Sequence, residues 1–154
     1  MKRHVKLIPV QPEQAEAFVR MAQRYFCELN PQFRPTSAWR EAFSGRLLLG
    51  NNPVVRWIGD DTTVMGFVIF GHQPHPYLPK RVGVVYELYV VPEHRHSGVA
   101  SLAAAEVIEA LRNCSVDRVQ LEVMEGNQGA AIFWRKIGFA KVAERYVLPL
   151  RGRG

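Results

Sequence analysis

The sequence predicts an α/β fold, with a mixed, mostly antiparallel central sheet of about seven strands flanked by about four helices. Two observations lead there. Apolar periodicity switches between helical and strand spacing in the order β α α β β β α β α β β. Short helices therefore interleave with a largely antiparallel meander, which implies one sheet covered by helices on both faces. The length of 154 residues suits one domain with a single core, placed at residues 1–150 with a flexible tail at 151–154.

Residues 3–8 (RHVKLI) alternate weakly and read as a first strand. Between residues 12 and 29, Ala15, Phe18, Val19, Ala22, Phe26 and Leu29 follow helical spacing. Asn30-Pro31 ends that helix, because proline restricts the residue before it. A second helix is predicted over 37–48, with Thr36 or Ser37 as its cap. VVRWIGDDTTVMGFVIFG, beginning at Val54, reads as two strands around a tight Gly-Asp-Asp turn. Residues 72–80 (HQPHPYLPK) form a proline-rich loop, and 82–91 (VGVVYELYVV) a strong strand ended by Pro92. A polar turn opens an alanine-rich helix that runs to Asn113. Residues 117–124 alternate, with Val119, Leu121 and Val123 against Arg118, Gln120 and Glu122. Residues 127–137 place Ala130, Phe133, Trp134 and Ile137 on one helical stripe, and 139–141 and 145–150 read as final strands.

Hydrophobic residues make up 47% and charged residues 22%, an ordinary soluble globular composition. No apolar run approaches the roughly 20 residues of a membrane span. The basic N-terminus, MKRHVKLIPVQPEQ, has too short an apolar stretch for a signal peptide, so the chain reads as cytoplasmic and unprocessed, with no membrane partner. Cys27 and Cys114 fall in predicted helices without metal-ligand spacing and read as buried free thiols. The net charge of +6 favours anionic partners, either nucleic acid or a small polyanion in a pocket. The basic residues are scattered, so nothing points to a specific nucleic-acid partner.

The turn RHSGVA, from Arg95 to Ala100, meets the start of a helix. A first helical turn leaves N–H groups without internal partners and carries the positive end of the helix dipole, together a socket for phosphate. Gly98 lets the backbone approach a ligand without a Cβ in the way, and Arg95 adds positive charge at the rim. Ala100, Ala103, Ala104 and Ala105 permit close packing. These are the parts of a pyrophosphate cradle, although an ordinary helix start has the same parts.

LYVVPEHRHSGVA resembles motif A of the GNAT superfamily of N-acetyltransferases, with Leu88, Val90, Pro92, Arg95, Gly98 and Ala100 at the motif positions without a gap. NQGAAIFWRKIGF resembles a second signature of that family through Asn127, Ala130, Trp134, Gly138 and Phe139. The element order also matches the GNAT fold across nearly the whole chain. The resemblance implies acetyl-CoA, or a close acyl-CoA, as donor, with no metal. It implies that backbone amides of His96, Ser97, Gly98, Val99, Ala100 and Ser101 hold the pyrophosphate, with Arg95 beside them. Leu88, Tyr89 and Val90 would line the pantetheine in a splay between the fourth and fifth strands, and the Val90 amide would be the oxyanion donor. Asn127 would contact the pantetheine or phosphate region, and Phe133, Trp134 and Lys136 would border the tail of the donor.

Glu87 is a carboxylate inside an apolar strand, VVYELYVV. Period two places it on one face with Val85 and Tyr89, opposite Tyr86 and Leu88. Partial burial would raise its pKa and make it a better base near neutral pH; a solvated or salt-bridged Glu is the alternative. The resemblance implies a glutamate in this strand as general base, acting directly or through water. The freed amine would attack the thioester, the Val90 amide would hold the oxyanion, and CoA would leave.

Trp134 stands where the family has a tyrosine that protonates the departing sulfur. An indole N–H donates a hydrogen bond but is not an acid. A thiol pKa near about 8.5 makes thiolate a tolerable leaving group unaided; otherwise Tyr89, Tyr146, His94 or a water substitutes. The acceptor site is expected from residues 25–39 and 72–80 and the Tyr146 region, which hold Phe26, Phe33, Trp39, His72, His75 and Tyr77, with Glu28 and Glu41 nearby. The leading reading is an N-acetyltransferase for a primary amine. A protein or peptide N-acetyltransferase and a non-catalytic acyl-CoA-binding protein are the alternatives, and a homodimer is left open.

Overall fold

Strand β1 (Lys6–Pro9) lies at one edge of a sheet in which β2 (Val54–Gly59), β3 (Val64–Pro74), β4 (Arg81–Val90) and β5 (Val119–Leu121) follow in that order. This sheet belongs to the first of two compact units, Met1–Glu122; the second is Val123–Gly154. The computed structural model describes residues 4–48 and 50–151. The first three strand pairs are antiparallel. β4 and β5 are parallel, because helix α3 (Val99–Arg112) carries the chain back across the sheet between them.

The sheet has five strands among the described residues, not about seven. Residues 139–141 and 145–150 join no ladder. They read as strands in the sequence, but a strand exists only by pairing. Here Glu144 instead takes local contacts, a 2.6 Å ion pair from Lys141 and a 2.6 Å hydrogen bond from Tyr146, and Pro149 lacks an N–H to offer. β5 covers only three of the eight alternating residues, and Arg3 and residues 152–154 of the expected tail lie outside the described residues. β3 runs three residues into the expected loop, because Pro74 and Arg81 still pair.

Helix α1 (Ala15–Leu29) follows a 3-10 turn at Pro12–Gln14 and stops at Asn30, which is extended as the residue before Pro31 must be. Helix α2 (Ser37–Leu48) is capped by Thr36, whose Oγ1 accepts from the Trp39 N–H at 3.1 Å. The Asp60 carboxylate accepts from the N–H groups of Thr62 and Thr63 and so builds the turn between β2 and β3.

One face of the sheet packs on α1 and α2. Phe18, Val19 and Ala22 of α1 and Phe43 and Leu47 of α2 cluster with Val55, Trp57, Phe67, Ile69, Tyr89 and Val91. Phe18 has no exposed surface; its ring stacks on Phe43 and meets Trp57 and Phe67 edge-on. The buried stripe of α3, Val99, Ala103, Ala104, Val107 and Leu111, packs against β1, β3 and β4. Gly83 admits Leu111: a Cβ there would stand 3.1 Å from its Cδ1.

A bulge decides which face Glu87 uses. Ile69 pairs with Glu87, but the adjacent Phe70 pairs with Val85, so Tyr86 is an extra residue in β4. Directly paired residues share a face and neighbours do not. Glu87 and Tyr89 therefore lie on the α1–α2 face with Ile69 and Phe67, as expected, whereas Val85 lies on the opposite face. The period-two reading erred only there, because unbroken alternation has no room for an extra residue.

In the second unit, α4 (Gln128–Ile137) begins at Asn127, whose Oδ1 accepts from the Ala130 N–H at 3.2 Å. It ends at Gly138, at φ 125°, a conformation natural only for glycine. There the Phe139 N–H returns to the Trp134 carbonyl, and the Phe139 and Trp134 rings meet edge-on at 5.3 Å. The second motif thus starts, stops and packs a single helix.

Candidate active site

Glu87 is half-buried, and burial raises its pKa above the usual carboxylate value. A hydrogen bond from the Tyr25 hydroxyl to Oε2 opposes that rise. Tyr25 is itself pushed far up, first by burial and then by the charge and hydrogen bond of Glu87, so it stays protonated and acts as donor. The sequence placed Tyr25 only at the edge of an acceptor region. No local signal could have found the contact, which joins residues 62 positions apart.

Beyond Val85, β4 has no strand partner on the side away from β3 among the described residues. Its ladder with β5 ends where Val85 meets Leu121, while β4 continues to Val90. The expected splay between the fourth and fifth strands would lie beyond that point. The Val91 N–H donates to Met65 on β3 at 2.9 Å, so in the alternating antiparallel pattern the Val90 N–H points the other way, away from β3. Leu88 shares that orientation and stands across from Val68 on the α3 face. Tyr89 instead faces α1, with its side chain buried. Burial raises the pKa of its hydroxyl, and the nearby Glu28 carboxylate raises it further.

The chain then turns through a 3-10 segment, Pro92–His94, into α3. His96 and Gly98 both have positive φ, at 58° and 83°. Gly98 is the N-cap, and no side chain caps the first turn. The N–H groups of Val99, Ala100 and Ser101 are thus left to an outside acceptor. A Cβ on Gly98 would meet nothing within 4 Å, so the turn lies open on its outer side. These donors fit a diphosphate. The Ser97 hydroxyl is turned inward, to the His94 carbonyl at 2.7 Å. Gly98→Ala adds no clash within the protein but forces a left-handed alanine, a strain of about 1–2 kcal/mol. We expect a modest fall in Tm and a rise in KM for acetyl-CoA larger than the change in kcat, read by melting and initial rates.

Arg95 points inward. Its Nε donates to the Val90 carbonyl at 2.8 Å, a terminal nitrogen meets Glu28 of α1 at 2.7 Å, and the guanidinium lies 5.5 Å from the centre of the Tyr89 ring. It ties the end of β4 to α1. The contacts use the charge that the sequence assigned to the rim of the cradle.

The aromatic residues expected around an acceptor pack on one another. Phe26, Phe33 and Trp39 form a ring cluster with centroid separations of 5.1–6.0 Å that extends to Phe43. The histidines of the 72–80 segment are also engaged. His72 Nδ1 accepts from Arg81, and the buried His75 Nδ1 accepts from the N–H groups of Tyr77 and Leu78. Glu41 lines a groove with Ala15, Val19, Ser37 and Arg40, between α1 and α2. No group of three or more metal-ligating side chains occurs among the described residues. Cys27 is half-buried in α1, but Cys114 is exposed, because α3 ends at Arg112 and leaves it in the following turn.

In the second unit the Asn127 side chain is the α4 cap, Phe133 and Trp134 meet edge-on at 4.8 Å, and the Tyr146 hydroxyl donates to Glu144. Lys136 lies in the last turn of α4.

Residues 16–139 match the family model described as the acetyltransferase (GNAT) family. The chain belongs to the GNAT acetyltransferase family. GNAT proteins use acetyl-CoA as acyl donor, and the match spans both motifs. Among curated proteins this GNAT chain is 20% identical over 143 residues to N-alpha-acetyltransferase 30 of Schizosaccharomyces pombe, covering 93% of this chain and 81% of that protein. Among solved structures it resembles a ribosomal-protein-alanine N-acetyltransferase from Brucella melitensis biovar Abortus 2308, at TM-score 0.73 and 20% identity, covering 96% of this chain and 98% of that one. It also resembles the aminoglycoside N-acetyltransferase AAC(6')-Iy in complex with CoA, at TM-score 0.75 and 16% identity, covering 99% and 98%. At these identities the structural likeness speaks for the fold of this GNAT chain. Among its described residues no helix is long and apolar enough to cross a membrane.

Proposed function

We propose that this GNAT chain is an acetyl-CoA-dependent N-acetyltransferase that acts on a primary amine by direct attack on the thioester, with Glu87 as general base. The observation that carries the reading is the continuity of one segment. A half-buried carboxylate at Glu87, an outward N–H at Val90 and an uncapped helix start at Gly98 follow one another along β4 and into α3. When bound, acetyl-CoA supplies the activated acetyl group: the amine N–C bond forms, the C–S bond breaks and CoA leaves as thiolate. Amides of the Gly98 turn and the first turn of α3 hold the diphosphate. The side of β4 away from β3, at Leu88 and Val90, aligns the pantetheine. The Val90 N–H donates to the acetyl oxygen as negative charge develops there. Glu87 takes the amine proton, directly or through one water.

The family resemblance of the second motif also assigns Asn127, Phe133 and Trp134 to the donor. Trp134 is not an acid, so thiolate departs without a dedicated proton donor. Trp134→Phe is therefore expected to retain turnover. Turnover abolished with CoA affinity intact, as read by initial rates and calorimetry, would overturn that part.

The name of the curated relative and that of the Brucella neighbour favour a second reading of the acceptor, the N-terminal amine of a protein. Thiol release from acetyl-CoA against a panel of small amines and N-terminal peptides separates the two. Binding of acetyl-CoA with no thiol release from any amine would instead mark a non-catalytic acyl-CoA-binding protein.

A further inference from the structure

We propose that Tyr25 is a positioning residue for Glu87: it holds the carboxylate by Oε2 and leaves Oε1 to accept the proton of the incoming amine. This rests on the reading of Glu87 as base. The contact bridges α1 and β4, and its direction is fixed by chemistry, since an ionised carboxylate only accepts and the phenol must donate. The phenol is held in turn. Its ring meets Phe67 edge-on at 5.6 Å and lies tilted against Phe26 at 5.0 Å and Tyr89 at 5.3 Å. Three rings from α1, β3 and β4 therefore determine where the hydroxyl sits. A half-buried glutamate without such a donor would sample several rotamers; with it, one oxygen is occupied and the other has a set direction.

The other ionisable groups on these elements serve different contacts. Arg24 of α1 meets Glu93, Glu28 of α1 meets Arg95, and Tyr89 of β4 lies under the Arg95 guanidinium. The residue opposite Glu87 on β3 is Ile69, and α2 offers the uncharged rings of Trp39 and Phe43 to this face. Burial and the Tyr25 hydroxyl, acting in opposite senses, are what move the proton affinity of Glu87. In the transfer the proton passes from the amine nitrogen to Glu87, and Tyr25 keeps its own.

The titration needs no knowledge of the acceptor. In protein carrying 13C-labelled glutamate, the Glu87 carboxyl resonance, identified by its loss in Glu87→Gln, is titrated in the wild type and in Tyr25→Phe. The substitution removes one oxygen and leaves the ring in place. The midpoint is expected to rise by about one to two pH units, the equivalent of one hydrogen bond to a charged group. The acid limb of kcat/KM is expected to rise with it, while KM for acetyl-CoA is unchanged. A second measurement uses the unsubstituted protein: the labelled Tyr25 ring carbon should shift as Glu87 titrates. Coincident glutamate titrations in the two proteins, or a Tyr25 resonance blind to Glu87, would overturn the assignment. If Glu87→Gln proves as active as wild type while the titrations shift, the base reading fails and the Tyr25 contact stands. If Glu87→Gln is inactive and Tyr25→Phe titrates like wild type, only the role of Tyr25 fails.

Discussion

Glu87→Gln is expected to lower kcat/KM at neutral pH by about 10²- to 10⁴-fold, the usual contribution of a positioned general base, with acetyl-CoA affinity unchanged. The amide is the right replacement. Its oxygen still accepts from the Tyr25 hydroxyl, and only the basicity is lost. The wild-type rate should fall as pH drops through the raised Glu87 pKa, because the base must be ionised to work. In the variant that limb should vanish. Stability should respond in the opposite sense. A carboxyl whose pKa is raised by folding binds its proton more tightly in the folded chain. Its stabilising contribution is complete below the unfolded value near 4.5 and is lost as pH rises through the folded value. Above that, the fold carries a half-buried charge, which glutamine removes. Glu87→Gln should therefore melt no lower than wild type at pH 7, a trade of stability for activity. Equal rates for the two proteins at every pH would defeat the base assignment.

Gly66→Ala is expected to damage the fold and the active site together. Gly66 pairs with Val90, and a Cβ there would lie 1.9 Å from the Tyr89 carbonyl oxygen, 2.9 Å from its carbon and 3.0 Å from the Val90 Cα. All three are backbone atoms in the middle of a sheet, so no rotamer relieves the clash and β4 must move. We expect a loss of about 3 kcal/mol, the upper part of the range for overpacking. For a chain of this size that is a fall in Tm of about 6–12 °C. The displaced peptide is the one that carries the Val90 N–H, so kcat should drop further than the residual folded fraction explains. Calorimetry alongside initial rates below the transition checks both, and an alanine variant with wild-type Tm would show that the strands do not approach this closely.

Much of this was visible in the sequence because the signals were local. The limits of α2 follow from Thr36, and those of α4 from Asn127 and Gly138, since caps act within a few residues of the end they define. The two motifs named the family, and Glu87 stood out as a carboxylate in an apolar strand. What stayed hidden depends on contacts between distant residues. Apart from Glu87, VVYELYVV carries apolar or aromatic residues on both faces, so nothing in its composition marks the bulge, and Val85 was placed on the wrong face. Tyr25 reaches Glu87 only because α1 packs on that face. Arg95 carries the charge of a ligand-binding residue, and its inward turn follows from Glu28, a partner on another helix. Phe26, Phe33 and Trp39 have the composition of a binding pocket, yet aromatic side chains satisfy one another at least as well as they satisfy a ligand. Residues 139–141 and 145–150 show the converse limit: strand-like segments were legible, but whether a ladder receives them is not a local property.

Tyr86 gives β4 a phase, in the way an inserted nucleotide gives a message a reading frame. Pair Tyr86 with Ile69, as an unbroken ladder would, and strict alternation returns, but positions 87–90 exchange sides: leucine would be driven among the aromatic rings and the carboxylate turned onto the alanine-rich helix. Which surface of the strand carries the carboxylate is decided by one surplus amino acid.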